Sequence, residues 1–230
     1  MSKKIIVTGA AGNLGLAVVK KFIAEGQMVI GTVTSGAFDR LAFTNENFEQ
    51  VIVDLTNEES AQKFVTDCIV KYGNIDTAVL TVGGFTMGKI AETKTSDINK
   101  QYQLNFETAY NVARPVFIQM LKQKKGRIFL IGSRPGIDAA KGKGMIAYSL
   151  SKSLIFHLSE LMNHEAKGTD VVTNVIVPST IDTPQNRHAM PAADFSSWVT
   201  PEKIAGIINY YCGDDAGALR ESVIKIYNNS

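Results

Sequence analysis

The chain has 230 residues, with 24 Lys and Arg against 22 Asp and Glu, and a formal charge of +2. So even a balance leaves no broad basic footprint for nucleic acid or an acidic membrane, and 45% hydrophobic residues are enough to bury the core of one α/β domain, expected over residues 1–230. Cys68 and Cys212 lie far apart and outside any CxxC arrangement, which excludes a disulfide framework and suits a reducing compartment. His157, His164 and His188 lack metal-ligand spacing and read as surface or packing histidines, so no metal is expected. No apolar run reaches membrane-spanning length, and no long apolar region follows Met1-Ser2-Lys3-Lys4. A soluble cytoplasmic protein acting on a small molecule, without nucleic-acid or membrane partners, is the expectation.

Strand-like and helix-like runs alternate along the chain. Strands are predicted at Lys4–Thr8, Met28–Val33, Gln50–Asp54, Thr77–Val82, Arg127–Gly132, Val171–Val177 and Ser222–Tyr227. Several are continuously apolar, as strands covered on both faces must be. Helices are predicted near Leu14–Glu25, Glu58–Tyr72, Ile98–Lys122, Ala147–Ala166 and Pro201–Tyr211. This alternation implies parallel strands joined by right-handed crossovers, a doubly wound Rossmann-type sheet of about seven strands. Pro115 lies inside the third helical pattern, where a missing N–H predicts a kink or break. The basic stretch Lys122, Lys124, Lys125 and Arg127 suits a helix C-terminus. The stripe Leu150, Leu154, Leu158, Leu161, Met162 has helical spacing and predicts a buried helix face. Pro184–Thr200 shows little periodicity and reads as a long loop, a candidate mobile lid carrying Met190, Phe195 and Trp198. Trp198 is a candidate cap for a planar substrate, or else a loop anchor together with Phe195.

Thr8-Gly9-Ala10-Ala11-Gly12-Asn13-Leu14-Gly15 stands between a strand and a helix. In that context glycines permit a tight turn and let backbone N–H groups approach a pyrophosphate at a helix N-terminus. Asp54 closes the third predicted strand, where its carboxylate can accept from an adenine amino group or simply cap a loop. Gly83 and Gly84 follow the fourth strand, where small residues let a cofactor pass close to the chain. The second strand ends Val33-Thr34-Ser35 without an acid to repel a 2′-phosphate; Thr34 and Ser35 can donate to one and Arg40 can reach it. NADP is therefore the expected cofactor, with NAD also usable.

Tyr148 and Lys152 are one helical turn apart. An adjacent ammonium favours phenolate and is expected to lower the tyrosine pKa toward the range of acid/base work. Such a pair is commonly a mere surface feature; Ser133 at the end of the fifth strand gives it weight, since ligands bind at strand C-terminal ends in open α/β sheets.

Thr8-Gly9-x-x-Gly12-x-x-Gly15, Asp54, Asn105, Ser133, Tyr148-x-x-x-Lys152 and Pro178…Thr183 resemble, in order and over essentially the whole chain, the short-chain dehydrogenases/reductases. The resemblance implies that Tyr148 exchanges the substrate proton and Ser133 orients the substrate oxygen. It implies further that Lys152 holds the nicotinamide ribose and that Asn105 supports a proton relay through water. Gly9, Gly12, Asn13, Leu14, Gly15, Thr34, Asp54, Leu55, Gly83, Tyr148, Lys152, Pro178 and Thr183 would line the NAD(P) site, and a homodimer or homotetramer is implied. Three positions depart from the family pattern: Asn13 for a glycine, Thr81-Val82-Gly83-Gly84 for Asn-Ala-Gly, and Pro178-Ser179 for Pro-Gly. Asp182–Trp198 and Gly144-Met145-Ile146-Ala147-Tyr148 look locally like the dihydropteridine reductase subgroup. That subgroup lacks the serine at Ser133 and carries an acid at Val33. A pteridine reductase and a non-catalytic dinucleotide sensor therefore stand as alternatives to a carbonyl reductase.

Overall fold

The computed structural model describes residues 2–41, 44–221 and 223–229. Ser222, the expected start of the last strand, and the side chain of Arg40, with its expected reach to a phosphate, lie outside that description. The described strands are β1 (Lys4–Thr8), β2 (Met28–Val33), β3 (Phe48–Ile52), β4 (Thr77–Leu80), β5 (Lys125–Ile131), β6 (Asp170–Pro178) and β7 (Val223–Ile226). They form one parallel sheet in the order β3-β2-β1-β4-β5-β6-β7. This is the doubly wound fold expected from the alternation, and its strand order reverses between β1 and β4, where such sheets open a crevice at the strand C-termini.

Alternate residues of β1 face opposite layers. Ile5 and Val7 join Leu14, Val18 and Phe22 of α1 (Asn13–Ala24) and Ile204 and Ile208 of α8 (Pro201–Tyr211). Ile6 joins Phe64 of α2 (Glu58–Tyr72), Val112 and Met120 of α4 (Thr108–Gln123), and Ile155 and Met162 of α6 (Ile146–Glu165). The sheet is thus covered on both faces, as its apolar strands require.

Four sequence expectations are corrected. The pattern Ile98–Lys122 is three pieces: α3 (Thr95–Tyr102), a π-helical turn at Gln103–Glu107 and α4. The irregularity sits there, with Thr108 N–H donating five residues back to Gln103, and not at Pro115, which is buried inside a continuous α4. β3 stops at Ile52, so Asp54 lies in the following loop. Of the basic stretch, Lys122 and Lys124 do close α4, but Lys125 and Arg127 belong to β5, where Arg127 is buried and pairs with Asp170 at 2.9 Å. The fourth correction concerns α6. Leu150 and Leu161 are 50% and 51% exposed, Leu154 is exposed too, and of the predicted stripe only Met162 is buried. The inward face is Ala147, Ser151, Lys152, Ile155, Ser159, Met162 and Asn163. Both faces carry helical spacing, so the period could not say which one turns inward.

Pro184–Thr200 contains α7 (Pro184–Ala189) and a 3₁₀ turn at Phe195–Ser197. Thr183 caps α7, its Oγ1 accepting from Asn186 N–H at 3.2 Å. Arg187 forks onto Asp182 at 2.6 and 2.7 Å and lies over the Phe195 ring. Trp198 is only 6% exposed and packs on Phe195. It anchors the segment and is not available to cap a substrate. His157, His164 and His188 are all exposed.

Candidate active site

The β1–α1 turn is built around its glycines. Gly9 has φ +65°, a conformation that side chains disfavour. A Cβ on Gly15 would stand 2.2 Å from the Gly9 carbonyl oxygen, so α1 can approach β1 closely only with glycine there. Ala10 N–H donates to Thr32 O at 2.9 Å and Thr81 Oγ1 to Thr8 O at 2.6 Å, tying the turn to β2 and to the end of β4. Gly12 is the N-cap of α1, exposed and without a side chain, and the first turn holds no acid. The first-turn amides of Asn13, Leu14 and Gly15 are thus left uncapped at the positive end of a helix, which suits a phosphate. Asn13 Nδ2 also donates to Gln185 of α7 at 2.8 Å, a bridge that the sequence reading did not foresee.

Across the crevice, Thr34 and Ser35 stand exposed after β2 with no acid ending the strand. Asp54 accepts from Thr56 N–H at 2.9 Å and Thr56 Oγ1 at 2.7 Å, which holds its carboxyl below the usual range and keeps it ionised. Leu55 is buried, and its carbonyl accepts from Asn111 Nδ2 at 3.0 Å. Pro178 closes β6 and Thr183 follows, so both lie at the same C-terminal edge of the sheet.

The catalytic candidates converge beyond β4 and β5. Ser133 caps the short α5 (Arg134–Ile137), its Oγ accepting from Gly136 N–H at 3.3 Å, and its hydroxyl is near enough to the Tyr148 phenol to favour the phenolate. Lys152 is 5% exposed and donates from Nζ to Ile131 O, the last residue of β5, at 2.8 Å. Burial pushes this ammonium down to about 8. Burial also pushes the Tyr148 phenol up, and the nearby Ser133 hydroxyl offsets only part of that rise. The expected lowering of the phenol by Lys152 is therefore corrected: the ammonium is drawn to a backbone carbonyl, and desolvation dominates at Tyr148. A raised phenol stays protonated at neutral pH and is held ready to donate.

Asn105 lies in the π turn, buried, with both its amide atoms hydrogen-bonded. Oδ1 accepts from Gly84 N–H at 2.9 Å, while Nδ2 donates to Gly84 O at 3.0 Å, Gln101 Oε1 at 2.9 Å and Ser151 Oγ at 3.2 Å. A Cβ on Gly83 would lie 2.7 Å from Asn105 Oδ1 and 3.3 Å from Lys152 Nζ. Gly83 is small because the side chains of Asn105 and Lys152 fill the space beside it, a reason different from close passage of a cofactor. Gln101 and Ser151 were missed in the sequence, although Gln101 stands four residues before Asn105 and Ser151 beside Lys152. Phe85, also missed, sets its ring edge-on to Tyr148 with centroids 5.1 Å apart.

A doubly wound sheet with a glycine turn after β1 is a dinucleotide-binding architecture, and Ser133, Tyr148 and Lys152 stand just after β5 and at the start of α6. The chain belongs to the short chain dehydrogenase family, whose model matches residues 3–193. It is 29% identical to an acetoacetyl-CoA reductase of Acinetobacter, over 79% of this chain and 75% of that protein. It is 25% identical to a 3-oxoacyl-(acyl-carrier-protein) reductase of Thermotoga maritima, over 97% and 96% of the two chains. Among solved structures, ElxO with NADP bound matches with a TM-score of 0.89 at 22% identity, over 98% of this chain and 97% of that one.

Proposed function

We propose that this protein is an NADP(H)-dependent reductase of a small carbonyl compound. The observation that carries the reading is the Tyr148 phenol, kept protonated by burial with the Ser133 hydroxyl close by, on the same helix as the buried Lys152. The β1–α1 turn fits a dinucleotide, because a side chain on Gly15 would close the cradle and Gly12 leaves the helix amides uncapped. Gly9, Gly12, Asn13, Leu14 and Gly15 would hold the pyrophosphate, and Asp54 and Leu55 would flank the adenine. Thr34 would receive the 2′-phosphate, Lys152 the nicotinamide ribose, and Pro178 and Thr183 the nicotinamide end. NAD is the poorer partner, since the uncharged Thr34 and Ser35 give a 2′-phosphate donors and no repulsion. ElxO, solved with NADP, supports this choice.

A reduced nicotinamide bound there supplies the hydride. Tyr148 donates its proton to the carbonyl oxygen as negative charge develops, and Ser133 donates a hydrogen bond to the same oxygen. Lys152, charged below about pH 8, would hold the nicotinamide ribose beside the phenol. Asn105 fixes Gly84 and so the wall beside the phenol, with the water relay as its additional role. The relatives named as acetoacetyl-CoA and 3-oxoacyl reductases favour a carbonyl substrate.

A dihydropteridine reductase-like activity is the second reading, favoured by the local likeness at residues 144–148 and 182–198. The exposed leucines of α6, with Tyr102, Tyr110 and Ile118 likewise exposed on α3 and α4, support a homo-oligomer in which a second copy covers them. The test is oxidation of NADPH and NADH followed with a carbonyl panel and a quinonoid pterin. Carbonyl-dependent oxidation of NADPH upholds the first reading, and pterin alone the second. Tight cofactor binding without turnover of either points to a sensor.

A further inference from the structure

Beside the phenol lies an apolar wall that proton transfer does not require. Phe85 directly follows Gly84, whose N–H and carbonyl are both held by Asn105. Its ring is therefore carried on fixed backbone. It is 58% exposed and still meets Tyr148 at 5.1 Å with the planes 78° apart. The chain then runs against the segment entering α6: Gly88 N–H donates to Gly144 O at 2.8 Å and Ile146 N–H to Gly88 O at 3.1 Å. Met87 on this run is also exposed, and a hollow of about 200 Å³ lies between it and Ala147, the residue before Tyr148.

The polar side chains around that hollow are turned to nearby backbone. Thr86 Oγ1 donates to Met87 O and Thr93 Oγ1 to Lys89 O, while Glu92 accepts from Lys89 N–H and Asp97 from Lys94 N–H. Glu92 and Asp97 each keep a second carboxylate oxygen, so a preference against hydroxyls rests on the Phe85 ring face, which offers them no such partner. Single exposed apolar residues are ordinary; a rigid aromatic ring in contact with the proton donor is a substrate platform.

We propose that Phe85, with Met87, forms a substrate subsite that selects carbonyl compounds bearing an aromatic or bulky apolar group next to the carbonyl, over polyhydroxylated ones. The inference rests on Tyr148 protonating a carbonyl. The apolar group would lie on the exposed face of the Phe85 ring, the carbonyl oxygen reaching Tyr148 and Ser133.

The experiment measures NADPH oxidation with acetophenone, acetone and an open-chain aldose, for the parent protein, Phe85→Ala, Phe85→Trp and, as a distant exposed control, Val70→Ala. The parent is expected to favour acetophenone over both others in kcat/KM. Phe85→Ala should lower the acetophenone-to-acetone ratio at least tenfold, mainly through KM, while Phe85→Trp keeps it and Val70→Ala leaves it unchanged. Preference for the aldose, or an equal loss on every substrate, would overturn the subsite. If no carbonyl is reduced, the proposed activity falls by itself. Binding of acetophenone to the NADPH complex then decides the subsite: binding lost in Phe85→Ala upholds it, and absent or unaffected binding overturns it.

Discussion

The two faces of α6 depart from the usual arrangement of a helix on a sheet, with polar side chains inward beside Ile155 and Met162 and leucines outward. Inward, Lys152 reaches Ile131 O, Ser151 meets Asn105, and Asn163 grips the edge of β6, donating to Thr173 O and accepting from Thr173 N–H, both at 2.8 Å. Among the described residues β7 pairs with β6 from Val175 onward, and at Thr173 a side-chain amide takes the place of a strand partner. Outward, Leu150, Leu154 and Leu161 face away from the core. The inner face gives up hydrophobic burial to hold a reactive site and an unpaired strand edge. The outer face leaves apolar surface exposed. Helical amphipathicity predicts a buried stripe only where the core is the sole apolar destination.

The largest effect is expected from removing the buried charge. Lys152→Met should lower turnover by on the order of 10²-fold and weaken NADPH binding, because in the proposed site this ammonium positions the nicotinamide ribose beside the phenol. In the parent, reductive kcat/KM should fall as pH rises through about 8, where the ammonium is lost; a flat profile to pH 9.5 would remove Lys152 from the mechanism.

Next is Asn163→Leu. It leaves the Thr173 N–H without a partner and its carbonyl with Ser159 alone. A loss of about 2–4 kcal/mol is expected in urea unfolding, with NADPH affinity unchanged. A loss under half a unit would mean that β6 does not need this clasp.

The same Lys152→Met variant should behave oppositely in stability. The ammonium drops from an unfolded value near 10.5 to about 8 in the folded protein. The folded state therefore binds fewer protons between those pH values, and parent stability rises across that window. Below pH 8 the whole penalty is present, at most about 3 kcal/mol, offset in part by the bond to Ile131 O. Lys152→Met should be the more stable protein at pH 7, with its advantage shrinking toward pH 10.5. An advantage independent of pH would place its origin in packing.

The smallest stability effect is expected outside. Leu154→Ser should change unfolding of the monomer by no more than about 0.5 kcal/mol. In light scattering, Leu154→Glu with Leu161→Glu should reduce an oligomer to monomers. A double variant that keeps its mass would show that these leucines are not the interface.

The fold was legible because continuous apolar strands and periodic helices alternate without interruption, and Glu58–Tyr72 and Pro201–Tyr211 were placed to the residue. The Gly9–Gly15 turn and the Tyr148–Lys152 spacing are local and could be read directly. What sequence could not give were facts of tertiary placement. Helical spacing on both faces of α6 hid which one is buried. Pro115 drew attention from the π turn that positions Asn105, since no residue type marks such a turn. Trp198 suggested a substrate cap by its chemistry, but its burial makes it an anchor, while Phe85 is known as a wall only once its ring is seen against Tyr148.

The central claim is that Tyr148 is the proton donor of a carbonyl reductase. The direct test is Tyr148→Phe, comparing NADPH titration with single-turnover reduction of the best carbonyl substrate. Cofactor affinity and the unfolding midpoint should match the parent, while the reduction rate falls by roughly 10²–10⁴-fold. A Tyr148→Phe protein that reduces the same substrate at near the parent rate would contradict the account.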